Sequence, residues 1–382
     1  MTMKLFSKYI VIILLFSFNL VNGQSLSFRG QASSWLTGNP EQSFISQAGI
    51  RYIPEMFIEK PLSDYVYADA EFSLNSYLSA NVNDFKTHNE SAKIKPYRLW
   101  FRISSNQFEA RAGLQKINFG SATLFRPLMW FDKIDPRDPL KLTDGVYGLL
   151  TRYYFQDNTN IWLWGLYDNK DLKGWETNPT KNNSVEFGGR IQTPLFTGEA
   201  GLTYHHRNAD LAKNPSLLSL SNKRYFDENR FAFDGKWNVE IGVWFEGSIV
   251  TRDVDIDFMK YQRQWTLGAD YTLDVGNGLK VLTEYFSSEN SEKLFNSGKG
   301  IDYLGFSADY PIGLLDNVSA IYYRDLTSKE NYFTVNWQRT YDNWIVYFLG
   351  FFNPKTVNLN QTQAGNNAMA GNGFQIMVVF NH

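Results

Sequence analysis

Cysteine is absent from all 382 residues, which excludes a disulfide framework, thiolate metal sites and cysteine nucleophiles. Histidine is scarce. The four copies are His88, His205, His206 and His382, and the adjacent pair points to opposite faces if it lies on a strand, which spoils it as a shared metal pair. A general base from that pair needs a serine beside it, and no motif locates that serine, so the chain reads as non-enzymatic and without a cofactor or metal. A basic excess is missing as well. Lys and Arg number 37 against 39 Asp and Glu, where a nucleic-acid partner calls for clustered positive charge, so none is expected. Past the first two dozen residues no run approaches the roughly 20 apolar residues of a membrane helix.

The amino terminus carries an export pattern. Lys4 and Lys8 precede an uncharged apolar run over residues 9–20, closed by Val21, Asn22 and Gly23. This predicts a cleaved signal peptide at residues 1–23, too short to span a bilayer, and a mature chain of residues 24–382. That chain keeps 35 basic residues against 39 acidic ones. Aromatic residues make up 16% of the sequence, led by 30 Phe and 22 Tyr, yet mean hydropathy is −0.35. A polar average rich in aromatics suits a chain that meets lipid one strand face at a time.

Period two runs through the mature chain. Val66, Ala68, Ala70, Phe72 and Leu74 alternate with Tyr67, Asp69, Glu71, Ser73 and Asn75. Trp265, Leu267, Ala269, Tyr271 and Leu273 alternate with Thr266, Asp270, Thr272 and Asp274. Short turns rich in Asn, Asp and Gly, at 105–106, 157–159, 194–197, 235–238, 274–278 and 341–343, take strict turns with longer connections at 79–94, 117–143, 169–183, 208–227, 251–262, 288–300 and 353–371. The predicted fold is all-β: a transmembrane, antiparallel, up-and-down barrel of about 18 strands. Sixteen is the alternative, because parity is ambiguous at 54–64 and 145–155.

The last segment sets Phe374, Ile376, Val378 and Phe380 on one face after a glycine-rich loop, and it resembles the insertion signal of bacterial outer-membrane proteins, although Asn381 and His382 follow the final aromatic. Leader, strand rhythm, loop alternation and last strand together resemble the porin-type and substrate-channel barrels of Gram-negative bacteria, including monomeric eighteen-strand kinds. The resemblance implies a place in the outer membrane, contact with its lipid, insertion by the barrel assembly machinery, passage of small polar solutes and a possible homo-oligomer. It does not identify a cargo.

In porins the third long loop folds into the lumen and narrows it, and the matching segment here, 117–143, is unlike its neighbours. It holds Leu124, Phe125, Leu128, Met129, Trp130 and Phe131, three prolines, and then Asp132, Lys133, Asp135, Arg137 and Asp138. A solvated loop has little use for so many apolar groups. Trp130, Asp132, Lys133, Asp135, Arg137 and Asp138 are therefore the expected pore constriction. The alternatives are a cap or subunit-contact loop and a calcium site from the three aspartates. On the wet parity, Arg98, Arg102, Arg111 and Arg190, with Arg152, lie on early strands, and Asp234, Glu240, Glu246, Asp270, Glu284 and Asp309 on later ones. These sets either face each other as opposed charged walls or pair off inside the lumen. Trp162 and Trp164 share the wet face of one strand, as a stacking surface for sugar rings or as packing for the loop. Trp35, Tyr52, Tyr77, Tyr97, Trp237, Trp265, Tyr310, Trp344 and Phe352 fit two interfacial girdles.

The expected function is passive diffusion of small polar or charged solutes. A substrate-specific sugar or anion channel is one alternative, and a plugged adhesin, assembly part or surface enzyme another.

Overall fold

The computed structural model describes residues 25–40, 45–83, 86–355 and 369–382. The expected leader at 1–23 lies outside the described residues. Eighteen antiparallel strands follow one another: β1 (Ser25–Asn39), β2 (Ile45–Ser63), β3 (Val66–Asn83), β4 (Lys86–Ser104), β5 (Phe108–Gln115) and β6 (Val146–Tyr154). Next come β7 (Asn160–Tyr167), β8 (Val185–Leu195), β9 (Gly198–Asp210), β10 (Tyr225–Val239), β11 (Ile241–Arg252) and β12 (Tyr261–Leu273). The last six are β13 (Leu279–Ser291), β14 (Lys299–Pro311), β15 (Asp316–Asp325), β16 (Asn331–Thr340), β17 (Trp344–Phe352) and β18 (Asn372–Asn381). Each strand pairs with the next, and β1 pairs with β18 from Gln31↔Asn381 to Gly38↔Phe374, so the sheet closes on itself.

The burial pattern is that of a soluble protein turned inside out. On β12, Gln264 and Thr266 are 4% and 0% exposed while Leu267 and Tyr271 are 56% and 47% exposed. Alternation along each strand therefore sends polar residues to the interior and leaves an apolar exterior that fits lipid. No water is needed for the backbone, since closure gives every strand two partners.

Three details depart from the sequence expectation. Residues 79–94 are not a long loop, because β3 and β4 run on to Asn83 and back from Lys86. Residues 235–238 belong to β10, and the turn is at Glu240, which adopts φ 63°, so Glu240 sits at an exposed turn instead of on an inner wall. Trp35 and Tyr77 turn inward to flank Arg51, with ring centroids 5.3 and 5.6 Å from the guanidinium carbon, and do not join an outer girdle. The two stretches of ambiguous parity, 54–64 and 145–155, are parts of β2 and β6. β2 carries a register shift between Pro61 and Ser63 that spoils its alternation.

Candidate functional site: the inward loop and the lumen wall

The long connection from β5 to β6, residues 116–145, lies inside the barrel. Its apolar first half is what drives it there. Ala122, Leu124, Phe125 and Met129 pack with Trp244, Leu282, Phe286, Tyr303, Tyr323 and Tyr332, inward residues of β11 and β13–β16. Ile117, Phe119, Leu128, Trp130 and Phe131 pack with Val146, Leu150, Trp164, Leu166 and Ala232 of β6, β7 and β10. Phe125 is stacked on Tyr303 at 5.3 Å and leans on Tyr323 at 4.7 Å. The loop thus bridges opposite sides of the wall, and farther along Leu140 packs against the cluster of Tyr347, Met377 and Val379 near the closing seam.

Two buried carboxylates fix its backbone. Glu284 accepts from the amides of Thr123 (2.6 Å), Leu124 (2.8 Å) and Phe125 (2.7 Å) and from the indole N–H of Trp244 (2.9 Å). Glu246 accepts from the amides of Ala122 (2.9 Å) and Leu128 (2.6 Å). Consecutive N–H groups aimed at one anion form a nest, and charge-assisted bonds of this kind are about twice as strong as neutral ones. Gly120 makes the approach possible: its φ is +99°, and a Cβ there would lie 2.4 Å from Glu246 Oε2. Thr266 completes the clamp by donating to the Phe125 carbonyl at 2.7 Å.

The charged second half is internally paired. Arg126 binds Asp132 (3.2 Å), the Phe119 carbonyl (3.1 Å) and, most closely, Asn118 Oδ1. Arg137 makes a bidentate pair with Asp135, 2.9 and 2.7 Å, and this partner holds its guanidinium above the ordinary arginine range against the opposing effect of burial. Asp138 instead accepts from the amide of Leu140 at 3.0 Å, and burial holds its carboxyl above the usual carboxylate range. Burial likewise lowers the Lys133 ammonium, whose backbone N–H bonds Thr143 Oγ1 at 3.1 Å. The three aspartates go to different partners, and no His, Asp or Glu cluster of metal-binding size occurs among the described residues.

A strap formed by residues 168–184 crosses above this loop. Trp175 donates to the Arg126 carbonyl at 2.9 Å and stacks on Phe286 at 4.6 Å. Glu176 pairs with Arg207 (3.1 Å) and Arg230 (2.6 Å), which with Arg252 also surround Glu228 at 2.7 Å each. This buried cluster was not singled out from the sequence. Its signal was there: three arginines and a glutamate at inward parity, near the same ends of β9, β10 and β11.

Wall charges pair locally and do not face each other as two opposed walls. Arg102 meets Asp69 at 2.6 Å, while Arg102, Arg111 and Arg152 converge on Glu109 at 3.5, 3.2 and 3.6 Å. Arg190 binds Asp234 at 2.5 Å, and Asp270 meets Lys280 at 3.6 Å. Arg98 donates to the Thr143 carbonyl at 3.1 Å and so holds the far end of the loop. Arg111 lies over Trp100 (4.5 Å) and Arg152 over Trp162 (3.9 Å).

The tryptophan pair of β7 is no open stacking surface. Trp164 is covered by Phe119 and Phe131 and donates to His205 Nδ1 at 3.2 Å, and His205 Nε2 faces Glu186 at 3.2 Å. Trp162 lies under Arg152 and against Phe119. The rings serve as packing for the loop.

Space remains on one side. A cavity of about 200 Å³ separates residues 136–141 of the loop from the inner faces of β14–β17.

Neither a known family's sequence profile nor any curated protein sequence matches this chain. Solved structures do. OccAB1 of Acinetobacter baumannii aligns with 95% of this chain and 97% of its own, at a TM-score of 0.56 and 9% identity. OccAB2 of the same organism aligns over 94% and 98%, with a TM-score of 0.56 and 8% identity. An anion-selective porin from Comamonas acidovorans aligns over 94% and 100%, with a TM-score of 0.50 and 11% identity. At such identities the likeness is one of fold, and that fold is the porin-type barrel.

Proposed function

We propose that the protein is an outer-membrane, porin-like channel for passive diffusion of small polar or charged solutes, narrowed by the inward loop at 116–145. The observation that carries this reading is a loop anchored by Glu246 and Glu284 across a closed barrel, with a polar cavity left beside it. Selection by size follows from the width left by the loop, and selection by charge from Asp135, Arg137, Asp138 and the wall arginines. In this reading residues 1–23 are the leader removed on export, and the barrel assembly machinery inserts the mature chain.

Single-channel recording of the refolded mature chain in a planar bilayer, with and without residues 124–138, tests it. A steady current that grows on deletion is expected. A second reading, a plugged barrel without transport, draws on the aromatic packing that joins loop, strap and wall. A correctly folded barrel that stays silent would establish that reading over the first.

A further inference from the structure

His205 sits where the first half of the loop meets the wall, and its ring is wholly buried. Trp130 and Phe131 of the loop face it at 6.1 and 5.0 Å, and Trp164 of β7 at 6.3 Å. Both ring nitrogens are in use. The indole N–H of Trp164 can only donate, so Nδ1, 3.2 Å away, is the acceptor. The ring's own proton is therefore on Nε2, where it points at Glu186 Oε2 across 3.2 Å. The two neighbours together select a neutral imidazole of one tautomer.

A second proton has one place to go. It enters at Nδ1 and meets the indole N–H of Trp164, which leaves two donors face to face with no acceptor between them. The imidazolium keeps Glu186 and is drawn toward it, while Trp164 loses its partner. The other charges around the ring are already committed. Arg230, the cross-strand neighbour of His205 on β10, and Arg207 on β9 bind Glu176 of the strap and Glu228 of β10. Arg190 of β8 binds Asp234, and Asp132 of the loop is bound by Arg126. Compensation for a new positive charge thus comes from Glu186, at the ring nitrogen away from Trp164. Enclosed among Trp130, Phe131 and Trp164, a charged ring also draws in water, which parts the aromatic faces. Those faces are the seat of the loop: Phe119 stacks on Trp164 at 5.9 Å and Phe131 meets it edge-on at 5.4 Å.

We infer that His205 is an acid-sensitive latch: the neutral ring holds Trp164 and the first half of the loop in place, and protonation releases them and widens the channel. The inference rests on the channel reading above.

The test records single-channel current of the full mature barrel in potassium chloride, with both chambers stepped from pH 8 to pH 4. The wild-type current is expected to rise several-fold, to become noisier and to fall again when neutral pH is restored. In His205→Gln the new carbonyl can accept from Trp164 and the new amide can donate to Glu186, and neither titrates, so the rise is expected to disappear. Trp164→Phe keeps a ring under Phe119 and Phe131 but has no N–H to strand, so its rise is expected to be much smaller. The two variants are independent, and either one that folds decides the matter. A conducting barrel whose current is flat across this range, or whose rise survives undiminished in a folded variant, overturns the latch and leaves the channel standing. A folded barrel that is silent at every pH overturns the channel and the latch with it.

Discussion

Glu284 commits both carboxylate oxygens to four N–H groups, each oxygen taking two. In Glu284→Gln only one oxygen remains, and the new amide turns its own hydrogens toward two of those donors. Each stranded donor costs roughly 1 to 3 kcal/mol, so the loop is expected to leave its seat part of the time. Single-channel recordings of the variant should show a larger and noisier current, and a current indistinguishable from wild type would mean that Glu284 does not position the loop. Gly120→Ala should act in the same direction through Glu246, because its Cβ has no room. Asp138 supplies a pH dependence. Burial raises its folded pKa above the unfolded value of about 3.9, so its contribution favours folding at low pH and is lost as pH rises through that window. Asp138→Asn should therefore raise the unfolding temperature in detergent at pH 7 and change it little at pH 3. A variant less stable than wild type at pH 7 would mean that attraction to Arg51 outweighs burial. Alternation in the sequence placed Glu246 and Glu284 on the inner face, yet it could not show what they hold, since their partners in the loop lie 118 to 161 positions away.

At the scale of elements, the strap over the loop depends on Glu176. Without its charge, Arg207, Arg230 and Arg252 are left around Glu228 alone, and breaking a buried pair typically costs about 3 to 5 kcal/mol. Glu176→Gln is expected to release the strap while the barrel stays closed. Lys173 is buried in the strap, with Nζ near the Gly145 carbonyl at 3.4 Å, so trypsin cleavage after Lys173 should become much faster in the variant. Cleavage at the wild-type rate would show that Trp175 packing holds the strap unaided. The inward loop was legible from composition, because six large apolar residues within eight positions have no place in solvent. Strand ends were not legible where β3 and β4 extend to Asn83 and Lys86. The alternation of Leu78, Ala80 and Val82 stops there, and the sequence from Asn83 to Ser91 is polar except for Phe85, so no apolar face marks a strand.

For the whole molecule, closure is the property that makes the wall continuous, and its seam runs out to the last two residues. An even strand count and a carboxyl end on the short-turn side could be read from the rhythm of turns, but the pattern gave Asn381 and His382 no role beyond the final aromatic. Both extend the seam. Asn381 donates to the Asn343 carbonyl at 2.8 Å, and His382 and Gly30 exchange two backbone bonds of 3.0 Å. The His382 ring also lies within 3.1 Å of the Tyr52 hydroxyl, and Phe380 packs on Trp344 at 4.7 Å. A chain ending at Phe380 keeps the terminal aromatic and loses three backbone bonds, each worth about 1 kcal/mol net. It is expected to assemble into membranes as efficiently as the full chain, since β18 and its apolar face are intact, and to unfold at a lower temperature once extracted, since the seam is shorter. Gel mobility of heated and unheated detergent samples measures both quantities in one experiment. Equal unfolding temperatures would locate closure in the Ala32–Gly38 pairing alone, and failed assembly would make the terminal pair part of the insertion signal itself.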